Sequence, residues 1–169
     1  MPILGDEASV ARGTTLTKLD YKGKDFVVLE DFVGNGDKAS PMLIAIMEEC
    51  EANRLLFVPL LALESGFSRL CDELPDPRIT ISPVYIIPDA ECLSPSPKPR
   101  ETRFEKMIRH VIKETWPSLK QSSEHDARAY GVAGSGSFVV TANNSPDNTL
   151  PLIHRRTATW NPLFRRHEP

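Results

Sequence analysis

Apolar positions along the chain switch between two spacings, and the switches predict a strand–helix–strand–helix unit over residues 25–74. DFVVLEDFV is apolar and β-branched, which suits a strand, and the glycine turn GNGD breaks it. Ser40-Pro41 then has the form of a helix N-cap followed by proline at the first helical position. Leu43, Ile46, Met47 and Cys50 follow at helical spacing. LLFVP is a short apolar run that predicts a second strand ending at Pro59, since proline cannot donate to a ladder. LLALESGFSRLCDEL returns to helical spacing, and Leu74-Pro-Asp-Pro stops it. Alternation of this kind predicts a parallel sheet with helices packed on its faces.

The remaining chain extends that layout. Residues 78–87 (RITISPVYII) predict a further strand, with Pro83 marking a bulge or an edge. Residues 101–116 predict a helix whose apolar stripe is Phe104, Met107, Ile108, Val111, Ile112 and Trp116. Arg103, Lys106, Arg109 and Lys113 dominate its other side, and Pro117 is expected to end it. SGSFVVT, residues 135–141, predicts a fourth core strand entered through GVAGSG. Residues 150–159 read as a polar edge strand, and residues 14–21 as an edge strand or hairpin arm turning through KGK. The expected fold class is a single α/β domain of two or three layers. Its sheet is mixed and partly parallel, with about four to six strands, and three main helices pack on it. That domain spans residues 14–159, with a flexible arm at 1–13, a stiff proline-rich connection at 92–100 (CLSPSPKPR) and a tail at 160–169. Ser94 and Ser96 each precede proline in that connection, which reads first as a bare linker and second as a phosphorylation segment.

Length and composition narrow the function classes. At 169 residues the chain is one domain's worth, and 40% apolar with 25% charged residues is ordinary for a globular protein. A net charge of −3 argues against a protein that mainly coats nucleic acid. Fifteen prolines, clustered in the second half, predict long irregular connections there. Cys50, Cys71 and Cys92 form no CxxC pair, so reduced structural thiols are expected, and no metal-ligand spacing is offered. No leader-like start and no apolar run of spanning length occur, so a cytoplasmic or nuclear location and no membrane partner are expected.

Two stretches carry candidate chemistry. VLEDFVGNG, residues 28–36, places an apolar strand, an acidic pair and a glycine turn ahead of a helix. It resembles the opening of S-adenosylmethionine-dependent methyltransferases, above all those acting on amino groups of nucleic acids. Asn161-Pro162-Leu163-Phe164 resembles the motif with which those enzymes grip the target amine. The resemblance implies S-adenosylmethionine as cofactor, with Gly34 and Gly36 shaping its loop and Glu30 or Asp31 at the acidic position. An Asn-Gly turn also stands without any ligand, because glycine permits tight turning. The second stretch is residues 153–167, where Arg155, Arg156, Arg165 and Arg166 surround Trp160 and Phe164. Such a segment would dock on a partner protein, track nucleic-acid phosphates, or fold its rings onto its own core.

Familiar catalytic sets are missing. GVAGSG precedes its strand, the reverse of a phosphate-binding loop, and there is no GKS or GKT. GxSxG is absent, and His110, His125, His154 and His167 form no nucleophile–base pair by spacing. The leading expectation is therefore a non-catalytic intracellular interaction or regulatory module. It would bind a partner subunit through the basic face of 101–116 or the basic–aromatic tail. The alternatives are the methyltransferase and a subunit of a nucleic-acid complex.

Overall fold

The computed structural model describes residues 21–121, 124–141 and 145–164. The expected arm at 1–13, the pairing segment at 14–20, and Arg165 and Arg166 lie outside those residues. The described chain forms a parallel four-stranded sheet in a single α/β layout. β1 (Asp25–Val33) runs parallel to β2 (Arg54–Leu63), in register from Asp25 beside Arg54 to Val33 beside Ala62. β3 (Ile79–Ile81) and β4 (Tyr85–Ile87) both lie parallel to β2 on its other side, giving the order β1-β2-β3/β4.

Proline explains two departures from expectation. β2 does not stop at Pro59 but runs on to Leu63, with Pro59 fully buried. The Pro59 carbonyl accepts from Val84 N–H at 2.9 Å, so its nitrogen, which has no hydrogen, faces the same neighbour. The ladder fails there, and the neighbouring chain splits at Ser82-Pro83-Val84 into β3 and β4.

α1 (Ala39–Glu49) and α2 (Glu64–Glu73) bridge successive strands. Neighbouring strands joined by right-handed crossovers put both helices on one face. Leu43, Ile46, Met47 and Leu70 accordingly pack with Leu55 and Phe57 of β2, and Phe26 and Val28 of β1 border that core. The opposite face carries Val27 and Leu29, 63% and 74% exposed, beside exposed Leu56 and Leu60. Ser40 is not the N-cap: Lys38 holds that position, and Ser40-Pro41 lie inside the first turn.

α3 (Arg103–Leu119) starts on a capping box: Thr102 accepts from Glu105 N–H while the Glu105 carboxylate accepts from Thr102 N–H. The helix passes through Pro117, because buried Leu119 and a 2.8 Å bond from Lys120 N–H to the Trp116 carbonyl hold its last turn. Ile112 and Trp116 of the expected stripe are buried, but Phe104 and Met107 are exposed. Ile112, Trp116 and Leu119 form a second core with Leu93, Ala129, Leu150, Leu152 and Ile153.

Two expected strands do not form. In 135–141 only Ser137 makes a bridge, with Thr149. Gly134 and Gly136 take positive φ there, and the Gly136 and Ser137 carbonyls accept from Leu93 and Leu150 instead of a neighbouring strand. Within 150–159, Pro151–His154 is a short helix, α4, with proline in its first turn. Cys71 is exposed, whereas Cys50 and Cys92 are buried and burial pushes the Cys92 thiol up.

Candidate functional site

The acidic pair and the glycine turn meet at the carboxyl end of β1, where ligands of open parallel sheets bind. Glu30 is half-buried near the end of the strand and Asp31 follows it. Burial, then a hydrogen bond and repulsion from Asp31, push the Glu30 carboxyl up to about 7, while Lys38 pulls the other way. A Glu30 carboxyl that retains its proton can donate as well as accept a hydrogen bond toward a polyhydroxylated ligand.

The chain then turns through Gly34 to Lys38 into α1. Gly36 needs its glycine, with φ at 83° and Leu70 packed against it. No side chain caps α1 and its first turn has no acidic residue, although the Ser40 N–H donates to the Gly36 carbonyl at 3.0 Å and Pro41 has no N–H, so it is the helix dipole that makes this end electropositive. Asp37 precedes this end but is held sideways, ion-paired to Arg69 of α2. Arg69 also donates to the Asn35 carbonyl at 3.3 Å and to Glu73 at 2.6 Å.

Residues distant in sequence complete the frame. Gly66 of α2 lies so close that a Cβ there would overlap the Gly34 carbonyl. The Asn148 amide fills the space a side chain on Gly34 would take, and Asp147 accepts from Lys38 Nζ at 3.0 Å. Asn148 is held in turn by a 3.3 Å bond to the Val132 carbonyl. Sequence reasoning singled out Glu30, Asp31, Gly34 and Gly36, which the structure brings together at the turn, and did not reach their neighbours Gly66, Arg69, Asp147 and Asn148. A glycine inside a helical pattern was the available signal for Gly66, since it costs about 1 kcal/mol against alanine unless packing requires it.

The tail residues lie elsewhere. Arg155 is bidentate to Glu124, at 2.5 and 2.6 Å, and lies over the Trp116 ring. This pairing holds the Glu124 carboxyl at about 2. Trp160 donates its indole N–H to the Leu152 carbonyl at 2.8 Å. Arg156 and Phe164 are exposed, as are Asn161 and Leu163. The tail thus separates into an anchored half and an outward half.

The family model PRTase-CE matches residues 3–166, nearly the whole chain. The chain belongs to the PRTase-CE family. No curated protein and no solved structure matches it. The match spans the acidic strand end, the glycine turn, and the Arg69 and Asn148 supports alike. Among the described residues, no group of His, Cys, Asp and Glu is placed to hold a metal ion, and no helix is long and apolar enough to cross a membrane.

Proposed function

We propose that this chain binds a phosphorylated ribose at the carboxyl end of β1, as the donor-binding unit of a phosphoribosyltransferase-like protein. The observation that carries the reading is the acidic pair Glu30–Asp31 in sequence with a glycine turn and an uncapped helix end. Carboxylates accept hydrogen bonds and suit ribose hydroxyls. Backbone N–H groups of the glycine turn, with the positive end of the α1 dipole behind them, suit a phosphate, and exposed Lys38, ion-paired to Asp147, adds a cation beside them. The family name, a phosphoribosyltransferase label, points the same way. A cytoplasmic or nuclear location goes with this reading, because phosphorylated sugars are intracellular metabolites.

The test is calorimetric titration of the whole chain with 5-phosphoribosyl 1-diphosphate and, separately, with S-adenosylmethionine. Saturable binding of the first, weakened at least tenfold in Asp31→Asn, supports the proposal. Binding of S-adenosylmethionine alone favours the methyl-transfer reading of Glu30, Gly34 and Gly36. Binding of neither overturns both.

The second reading, a non-catalytic interaction module, draws support from the outward half of the tail. Phe164 is 50% exposed, with Leu163 and Arg156 also facing solvent. Anchors of this chemistry suit a partner protein with an apolar, acid-rimmed pocket. Phe164→Ala should weaken such a complex while leaving Tm unchanged, whereas Trp160→Ala should lower Tm through its bond to Leu152.

A further inference from the structure

An open groove of about 590 Å³ runs between α3 and the turn at residues 126–130, and the ribose site uses none of its lining residues. Its floor is apolar. Ile112, Trp116 and Ala129 are buried there, and Tyr130 forms a side wall. Its rim carries two cations, Lys106 and Lys113, with the His110 imidazole between them, all exposed at helical spacing along one side of α3. Lys106 and Lys113 are separated by about 10 Å of helix rise.

The charges sort into spent and available groups. Arg109 donates Nε and Nη2 to Glu101, and Nη1 to the Pro95 carbonyl at 3.0 Å and to the Tyr130 hydroxyl at 2.9 Å. It also lies 5.5 Å from the centre of the Tyr130 ring. Arg109 is therefore a fixed wall that neutralises Glu101, with little donor capacity left. Asp126, the other acidic lining residue, is matched by Lys120 at 2.8 Å. Lys106 and Lys113 form no ion pair among the described residues. Both lining acids are thus compensated while the rim lysines are not, so the groove presents net positive charge on a protein whose total is −3.

We infer that this groove is a second binding site, for a mononucleotide. The phosphates would lie along Lys106, His110 and Lys113, and the base over the apolar floor beside the Tyr130 ring. A purely polyanionic ligand would leave that floor wet, and a purely apolar one would ignore the cationic rim. The volume falls within the range of about 300–1,000 Å³ typical of small-molecule sites.

The probe is ADP, titrated into the full chain by calorimetry, with adenosine and inorganic diphosphate as controls. One-to-one binding of ADP, tighter than either control, is expected. Lys106→Ala/Lys113→Ala should weaken it at least tenfold with Tm unchanged, since both side chains are exposed. ADP should also shift the Trp116 indole N–H resonance, assigned by comparison with Trp160→Phe. Diphosphate binding as tightly as ADP overturns the proposal, as does an affinity indifferent to the lysine pair. Failure to saturate at millimolar ADP also overturns it. The inference is separable from the ribose site: loss of ADP binding in Asp31→Asn, with none in the lysine variant, would place the nucleotide at β1 and end it.

Discussion

Two of the three hydrophobic clusters among the described residues are built by opposite means. The first, between the sheet and α1–α2, is organised by ladders: eight register pairs tie β1 to β2, and two helices cover one face. The second, around Trp116, has one long helix and is otherwise assembled from single turns. Backbone groups there pair singly: Gly136 N–H with the Tyr130 carbonyl, Leu93 N–H with Gly136, Leu150 N–H with Ser137. Ala133 and three glycines in 131–136 take positive φ to make those meetings possible. Repeated geometry supports the first core, and individually placed polar contacts support the second. Damage should therefore spread differently in the two.

The largest expected effect is at the contact between α2 and the turn. Gly66→Ala adds a methyl where the Gly34 carbonyl sits, and overpacking of this kind costs about 3 kcal/mol despite alanine's better helix propensity. A thermal melt should show the loss, and ribose-phosphate binding should disappear with it. An unchanged Tm would mean that the turn yields, and would remove the rigidity attributed to the first core.

In the second core, Arg155→Ala strands Glu124, a pair intermediate between exposed and buried, at a cost of about 2 kcal/mol. The pH signature has a definite sign. Glu124 has a folded pKa of about 2, held down first by its hydrogen bond to Arg155. The pair's contribution is full above the unfolded value near 4.3 and is lost as pH falls toward 2. Acid melts should show this loss in the native chain and not in Arg155→Ala.

Glu30 has the opposite sign. Its folded pKa is raised to about 7, first by burial, so the folded state retains a proton that the unfolded state releases above about 4.3. Stability should fall as pH rises from there to 7, and Glu30→Gln should gain on the order of 1 kcal/mol at pH 8, discounted for partial solvent access. Equal stability of the two proteins at pH 5 and pH 8 would contradict that environment. The smallest effect, about 1 kcal/mol, belongs to Thr102→Ala, which removes the cap of α3.

The same contrast explains how much of the molecule was legible from sequence. Spacing located β1, α1, β2, α2 and α3, because each buries one side of a regular element, and the acidic strand end and glycine turn lie consecutively in the chain. Residues 135–141 misled because SFVV is strand-like in composition, while the flanking glycines and Thr149 decide where its backbone bonds go. Arg69, Asp147 and Asn148 were illegible for another reason. Their roles arise from contacts across 32 to 114 residues, which no local pattern encodes.

Where Gly66 meets Gly34, two stretches of main chain touch without side chains between them. The bend after β1 is thereby clamped to α2, and cannot swing like a hinged flap. Under the proposed reading a molecule entering it would have to match a preformed mould, so discrimination between phosphorylated sugars would rest on shape already present, and a poorly fitting guest would be rejected rather than accommodated.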